Sequence, residues 1–199
     1  MRAPIRALSV YMGREAADRI ARDGWSADQF DLLLGASGGP KWFILGPLDR
    51  LLFGDFLARG TGPISVVGSS IGSWRHACLA MDDPVSALDR LEQGYLYQHY
   101  ATTPTAEEVS EVSMAMLDKV LGDDGAGMLA GHPRFRSHIV TARGRGPAAA
   151  ASSPLLATGM GVAALGNAFS RRLLKLHFQR VVFHSGEHPD PGLAFDDFQ

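Results

Sequence analysis

Short apolar runs that stop at glycine alternate along this chain with longer stretches of helical spacing. Over residues 14–23, Ala17, Ile20 and Ala21 share one side of a helix that ends at Gly24. Residues 30–34 form a short apolar run closed by Gly35, the pattern of a buried strand. Residues 41–58 read as a helix whose apolar faces come from Phe43, Leu48, Leu51, Leu52 and Leu57. Residues 63–67 are rich in β-branched side chains and bounded by glycines, a second strand, and residues 71–81 return to helical spacing. Asp82-Asp83-Pro84 caps a further helix that runs to about Tyr97, with Pro84 in its first turn. Thr103 to Glu108 opens another, which closes near Gly122. Residues 138–141 predict a third strand, 143–153 a loop rich in glycine, alanine and proline, 155–176 a helix with breaks, and 178–183 a fourth strand. Residues 193–199 read as the start of a further element.

Strand, helix, strand, helix in this order implies an α/β fold, a mainly parallel sheet covered on both faces as a three-layer α/β/α sandwich. No internal repeat or linker interrupts the pattern, so residues 1–199 read as one domain. Four strands are few for such a sandwich, and the expectation is a domain that continues past Gln199. Sheets of this kind gather ligands at the carboxyl ends of their strands. Two glycine-rich stretches fall at that edge: Gly35-Ala36-Ser37-Gly38-Gly39-Pro40-Lys41-Trp42 after the first strand, and Gly68-Ser69-Ser70-Ile71-Gly72 after the second.

Composition narrows the classes. With 199 residues the chain is long enough for one sizeable core, and 46% hydrophobic with 20% charged residues is ordinary for a globular protein. A formal net charge of −2 gives no electrostatic case for a nucleic-acid partner. Cys78 is the single cysteine, so no internal disulfide and no cysteine-rich zinc site can form. The first residues carry positive charge but no long apolar run, so no secretory signal is read and a reducing cytoplasm is the expected compartment. Residues 155–169 are apolar but hold Gly159, Gly161, Gly166 and Asn167, which favours a buried or interfacial segment over a span of roughly 20 residues.

The second glycine stretch fits the nucleophile-elbow pattern, glycine-x-serine-x-glycine between a strand and a helix. A serine there has its hydroxyl thrust out of the sheet, beside the positive end of the following helix, where developing negative charge is favoured. The simpler role for Ser70 is to cap that helix. In the first stretch, Gly38 and Gly39 supply flexible backbone whose N–H groups can be aimed at an oxyanion. Pro40 fixes the entry to the next helix. Lys41 puts positive charge at a helix start, which does not help the helix. The simpler reading is a plain strand-to-helix turn. A phosphate-binding loop fails: counted from Gly35, Pro40 stands where the second glycine belongs and Trp42 where the hydroxyl belongs. The dinucleotide spacing fails as well.

These residues resemble the patatin-like phospholipases. That family carries a glycine-rich oxyanion loop ending in a basic residue and glycine, and a Gly-x-Ser-x-Gly elbow some thirty residues later. Ser37-Gly38-Gly39-Pro40-Lys41-Trp42 is similar to the first, with Ser37 and Trp42 departing from glycine, and Gly68 to Gly72 is similar to the second. The resemblance covers about residues 30–80. It implies a serine–aspartate dyad with Ser70 as nucleophile, Gly38, Gly39 and Lys41 around the oxyanion hole, no cofactor and no metal. The substrate would be a lipid ester, met in the cytoplasm or at a membrane surface. The family's aspartate sits in an Asp-Gly-Gly or Asp-Gly-Ala turn well over a hundred residues after the serine. Asp124-Gly125-Ala126 matches the triplet but comes 54 residues after Ser70 and follows a helix, so it is read as a surface loop. Asp190, Asp196 and Asp197 lack the following glycine. The catalytic aspartate is therefore expected beyond Gln199, or on a partner chain cleaved from the same protein.

Histidine offers another base. In α/β-hydrolases it follows a late strand, and His184 follows Val181-Val182-Phe183 with His188 close by. His76 would lie on the helix after Ser70, pointing away from it. His184-x-x-x-His188 has the spacing of helical metal ligands, but Ser185, Gly186 and Pro189 oppose a helix. Arg171, Arg172 and Lys175 flank the apolar stretch as a solvated helix end or as partners for acidic lipid heads. Trp42, Phe43 and Leu45 could line an acyl channel or pack in a core. Three readings stay open: a lipid acyl hydrolase, an esterase using His184, and a lipid-binding module without a base.

Overall fold

The apolar runs pair into one four-stranded sheet. The computed structural model describes residues 9–101, 103–150 and 152–185. Strands β1 (Leu32–Gly35), β2 (Ile64–Ser69), β3 (Phe135–Gly144) and β4 (Phe178–His184) lie in the order β1-β2-β3-β4. The first three are mutually parallel, and β4 runs antiparallel to β3. The fold is thus α/β with a mostly parallel sheet, as the alternation predicts. The register aligns Gly35 with Gly68 and Ser69 with Val140, so both glycine stretches leave the same edge.

Helix α1 (Arg14–Asp23) ends at Gly24 as predicted, and buries little. The expected single helix over 41–58 is instead four helical pieces: a 3-10 turn (Gly39–Leu45), helix α2 (Gly46–Leu51), a π turn (Leu52–Phe56) and a second 3-10 turn (Leu57–Arg59). Pro47 explains the first break, since it has no N–H to donate back into the preceding turn and instead starts α2. Helix α3 (Ile71–Leu79) follows β2, and α4 (Pro84–Leu96) starts at Asp83, whose carboxylate accepts the Ser86 N–H at 3.0 Å. Thr105 caps α5 (Ala106–Leu121) in the same way.

The triplet Asp124-Gly125-Ala126, expected as a surface loop, instead opens a short helix, α6 (Gly125–Gly131). Gly125 is buried there because a Cβ would stand 2.7 Å from Leu121 and 3.0 Å from the Met81 sulfur. The loop expected over 143–153 is also shorter: β3 continues to Gly144 and a 3-10 turn occupies Gly146–Ala149. Helix α7 (Ser153–Phe169), a turn at Arg171–Leu173 and α8 (Leu174–His177) realise the broken helix. Residues 193–199, read as the start of a further element, and His188, Asp190, Asp196 and Asp197 lie outside the described residues.

Helix α3 packs across β1, β2 and β3, and α4 and α5 stack behind it. Ile64, Val66 and Phe135 of the sheet meet Ile71, Cys78 and Leu79 of α3, with Leu88 and Leu91 of α4 and Val120 of α5 completing one core. Trp42 joins that core, with Phe43 packed beside it. On the opposite side of the sheet, Leu34 is 74% exposed.

The direction of β4 follows from its connection. The Arg145 N–H donates to the His177 carbonyl at 2.8 Å, so the chain between β3 and β4 leaves and returns at one edge. A strand that re-enters there can only run back down the sheet.

Candidate active site

Ser70 sits between the last residue of β2 and the first of α3, with φ 52° and ψ −130°. Among the described residues it is the one non-glycine residue with positive φ. Such a backbone costs of order 1–3 kcal/mol and persists only where its surroundings impose it. Here they do. The Ser70 carbonyl accepts the N–H groups of Ser73 at 2.9 Å and Trp74 at 3.3 Å, fixing it to the first turn of α3.

The two glycines of the pentapeptide let that helix come close. A Cβ on Gly72 would stand 2.1 Å from the Gly35 carbonyl oxygen, and one on Gly68 would stand 2.6 Å from the Ser73 nitrogen. Gly72 thus brings the elbow against the end of β1, where the other motif begins. The capping role is not taken up: no side-chain cap hydrogen bond is formed at this helix start, and Ser70 is exposed.

In the first stretch, Gly39 has φ 54°, a conformation that favours glycine, while Gly38 is extended in φ. The Lys41 N–H reaches the Gly38 carbonyl at 3.4 Å, tightening the turn, and the Lys41 side chain is exposed.

A cleft of about 860 Å³ opens over the carboxyl edge of the sheet. Ser37, Ser69 and Ser70 form one wall, and Val140 to Ala142 with Phe178 to Arg180 form the floor. Arg171, Arg172 and Lys175 close the third side. The structure thus brings Ser70 and the start of the first motif to one cavity. Gly38, Gly39 and Lys41 follow Ser37 directly but do not line it. Trp42, Phe43 and Leu45 do not line it either; Trp42 is a core residue.

Among the described residues no aspartate, glutamate or histidine lines the cleft. His184 ends β4 opposite His138, two register positions back from the Val140–Val182 pair that is level with Ser69. The antiparallel sense of β4 therefore brings Phe178 to Arg180 to the elbow and carries His184 away from it. His76 is buried under the elbow against Gly35, and burial, with Arg75 beside it, lowers its pKa to about 4. It is a neutral packing residue. Its Nδ1 and the hydroxyls of Ser73 and Ser137 lack hydrogen-bond partners, and these three residues border a void of about 10 Å³ behind the elbow. Burial pushes the Cys78 thiol up to about 12, so it is no nucleophile.

Sequence reading missed the ion pair that holds the two motifs together. Asp49 of α2 is 1% exposed and accepts from both arms of the Arg75 guanidinium, with Nε at 2.6 Å. It ties the helix after the first loop to the helix after the elbow. The only sequence signal was a carboxylate among leucines in Leu48-Asp49-Arg50-Leu51. Arg180 and Gln179 were missed because their place in the cleft depends on the direction of β4.

Among the described residues no group of three or more His, Cys, Asp or Glu side chains is placed to hold a metal ion, and no helix is long and apolar enough to cross a membrane. Comparison with models of known families, with curated proteins and with solved structures finds no match to this chain.

Proposed function

We propose that this chain is a serine acyl hydrolase acting on lipid esters, with Ser70 as nucleophile, in a domain that resembles the patatin-like phospholipases and shares their three-layer form. The backbone of Ser70 carries the reading. An imposed positive φ at a strand-to-helix turn, with the side chain uncommitted and facing a cleft, is strain placed where a nucleophile needs it.

In this reading Ser70 Oγ attacks the ester carbonyl carbon while its proton passes to a general base. The carbonyl π electrons move onto oxygen. Backbone N–H groups at the start of α3, and of the loop that enters the cleft at Ser37, hold that oxyanion, each donor worth roughly 3–4 kcal/mol in comparable sites. The carbon–oxygen bond to the alcohol breaks and the alcohol leaves with a proton. Water then releases the fatty acid from Ser70. We take the base to be an aspartate outside the described residues, in this chain or on a partner chain of the same protein. The setting is the cytoplasm or a membrane surface.

The second reading is a lipid-binding module without turnover, favoured by the lack of any carboxylate or histidine along the described cleft. Labelling with a fluorophosphonate separates the two. The expected result is labelling of the chain and none of Ser70→Ala. Equal labelling of both, or silence from the folded chain, would remove the enzyme.

A further inference from the structure

Helix α7 is apolar along most of its length, yet it is poorly covered. Ala163 and Gly159 mark its buried side, where a Cβ on Gly159 would stand 2.4 Å from the Ala148 nitrogen. Leu155, Val162, Leu165 and Phe169 point elsewhere. At about 100° per residue they fall within a sector about 80° wide, a single stripe along the helix. Leu165 is 67% exposed and Phe169 is 87% exposed. Leu176 on α8 is exposed as well. A helix apolar all round belongs in a core or at a lipid boundary.

Charge says which. Between residues 125 and 185 the chain has eight lysines and arginines and no aspartate or glutamate, while the whole chain has a net charge of −2. Three of those cations, Arg171, Arg172 and Lys175, follow directly on Phe169 and also line the cleft that holds Ser70. Arg180 lines it too. The stripe is an apolar ridge whose end merges into a basic cleft wall. A nucleic acid would use the cations and leave the stripe uncovered. A lipid surface with anionic headgroups uses both.

We infer that the α7–α8 face docks in the plane of an anionic lipid bilayer. Leu155, Val162, Leu165 and Phe169 enter the acyl boundary, and Arg171, Arg172 and Lys175 meet the headgroups. Docked in this way, the surface feeds anionic headgroups directly into the Ser70 cleft. This deepens the proposed hydrolase by naming anionic lipids as its substrate class, but the docking itself does not require turnover.

The test is sedimentation with vesicles, using the Ser70→Ala chain so that hydrolysis plays no part. Vesicles of phosphatidylcholine alone are compared with equal parts phosphatidylcholine and phosphatidylglycerol. The expected result is strong preference for the mixed vesicles, weakened as salt is raised. Arg171→Gln/Arg172→Gln/Lys175→Gln should lower binding to them on the order of 100-fold, from about fivefold per cation removed. Arg171→Lys/Arg172→Lys should retain it, which guards against loss of fold. Leu165→Ser/Phe169→Ser should weaken binding to both vesicle types. Equal binding to neutral and mixed vesicles, or none to either, would overturn the proposal. So would a dimer in solution that becomes monomeric in Leu165→Ser/Phe169→Ser, because a second copy would then cover the stripe. Fluorophosphonate labelling without vesicles reads the hydrolase separately: a chain that binds but never labels removes turnover and keeps docking.

Discussion

Ser70 combines a functional hypothesis and a measurable energetic signature in one side chain. Its backbone is held at φ 52°, where glycine would be at ease. Ser70→Gly is therefore expected to raise stability by about 1 kcal/mol, read as a higher urea midpoint, while abolishing fluorophosphonate labelling. Ser70→Ala should abolish labelling without that gain. His76 gives a second residue-level expectation. Its native pKa is depressed to about 4 by burial, against 6.5 for the ordinary group. Between those values the unfolded chain binds a proton that the native chain refuses. The stability His76 contributes is thus full above about pH 6.5 and lost as pH falls toward 4, by about 3 kcal/mol. Urea midpoints taken at neutral pH and near pH 4.5 should fall less in His76→Leu than in the parent chain. The pentapeptide around Ser70 was legible in sequence because its glycines have no alternative use: they are where α3 touches β1 and β2 backbone. The protonation state of His76 was not legible, since it depends on burial against Gly35.

At the scale of elements, the link between the two motifs is an ion pair. Asp49 and Arg75 join α2 to α3 in a buried setting. Removing one partner leaves the other charged and uncompensated. Asp49→Ala should cost about 3–5 kcal/mol, seen as a shifted urea midpoint. Asp49→Leu/Arg75→Met should recover much of that loss, because no lone charge remains. Local pattern predicted the four strands and the longer helices, since glycine, proline and capping residues mark ends within a few positions. It failed where the outcome was set at a distance. The 41–58 stretch has helical periodicity throughout, but Gly46-Pro47 divides it. The 178–183 run was identified as a strand, while its direction was decided by the Arg145–His177 closure. That direction moves Arg180 to Ser70 and His184 away, so the site's charge was hidden even though each of its residues was in plain view.

For the molecule as a whole, the sheet is both scaffold and divider. Strands β1 and β2, with the elbow between β2 and α3, lie before residue 72; β3, β4 and the basic cleft wall come from the last third. The α/β class followed from alternation alone, while the absence of aspartate and glutamate between residues 125 and 185 became meaningful only once α8 was seen beside Ser70. The pairing of β2 with β3 joins partners such as Ile64 and Phe135, about seventy residues apart. Every other strand pair is nearer in sequence, and non-local parallel pairing is slow to form. The two halves of the site should therefore be built separately during folding and meet last. Val66→Ala, in the core face of β2 against β3, is expected to speed unfolding more than it slows refolding in stopped-flow urea jumps. A chain caught before that meeting would have Ser70 on a formed turn but no cleft in front of it, so fluorophosphonate reactivity would trail the recovery of helical circular dichroism and serve as a clock for the final step.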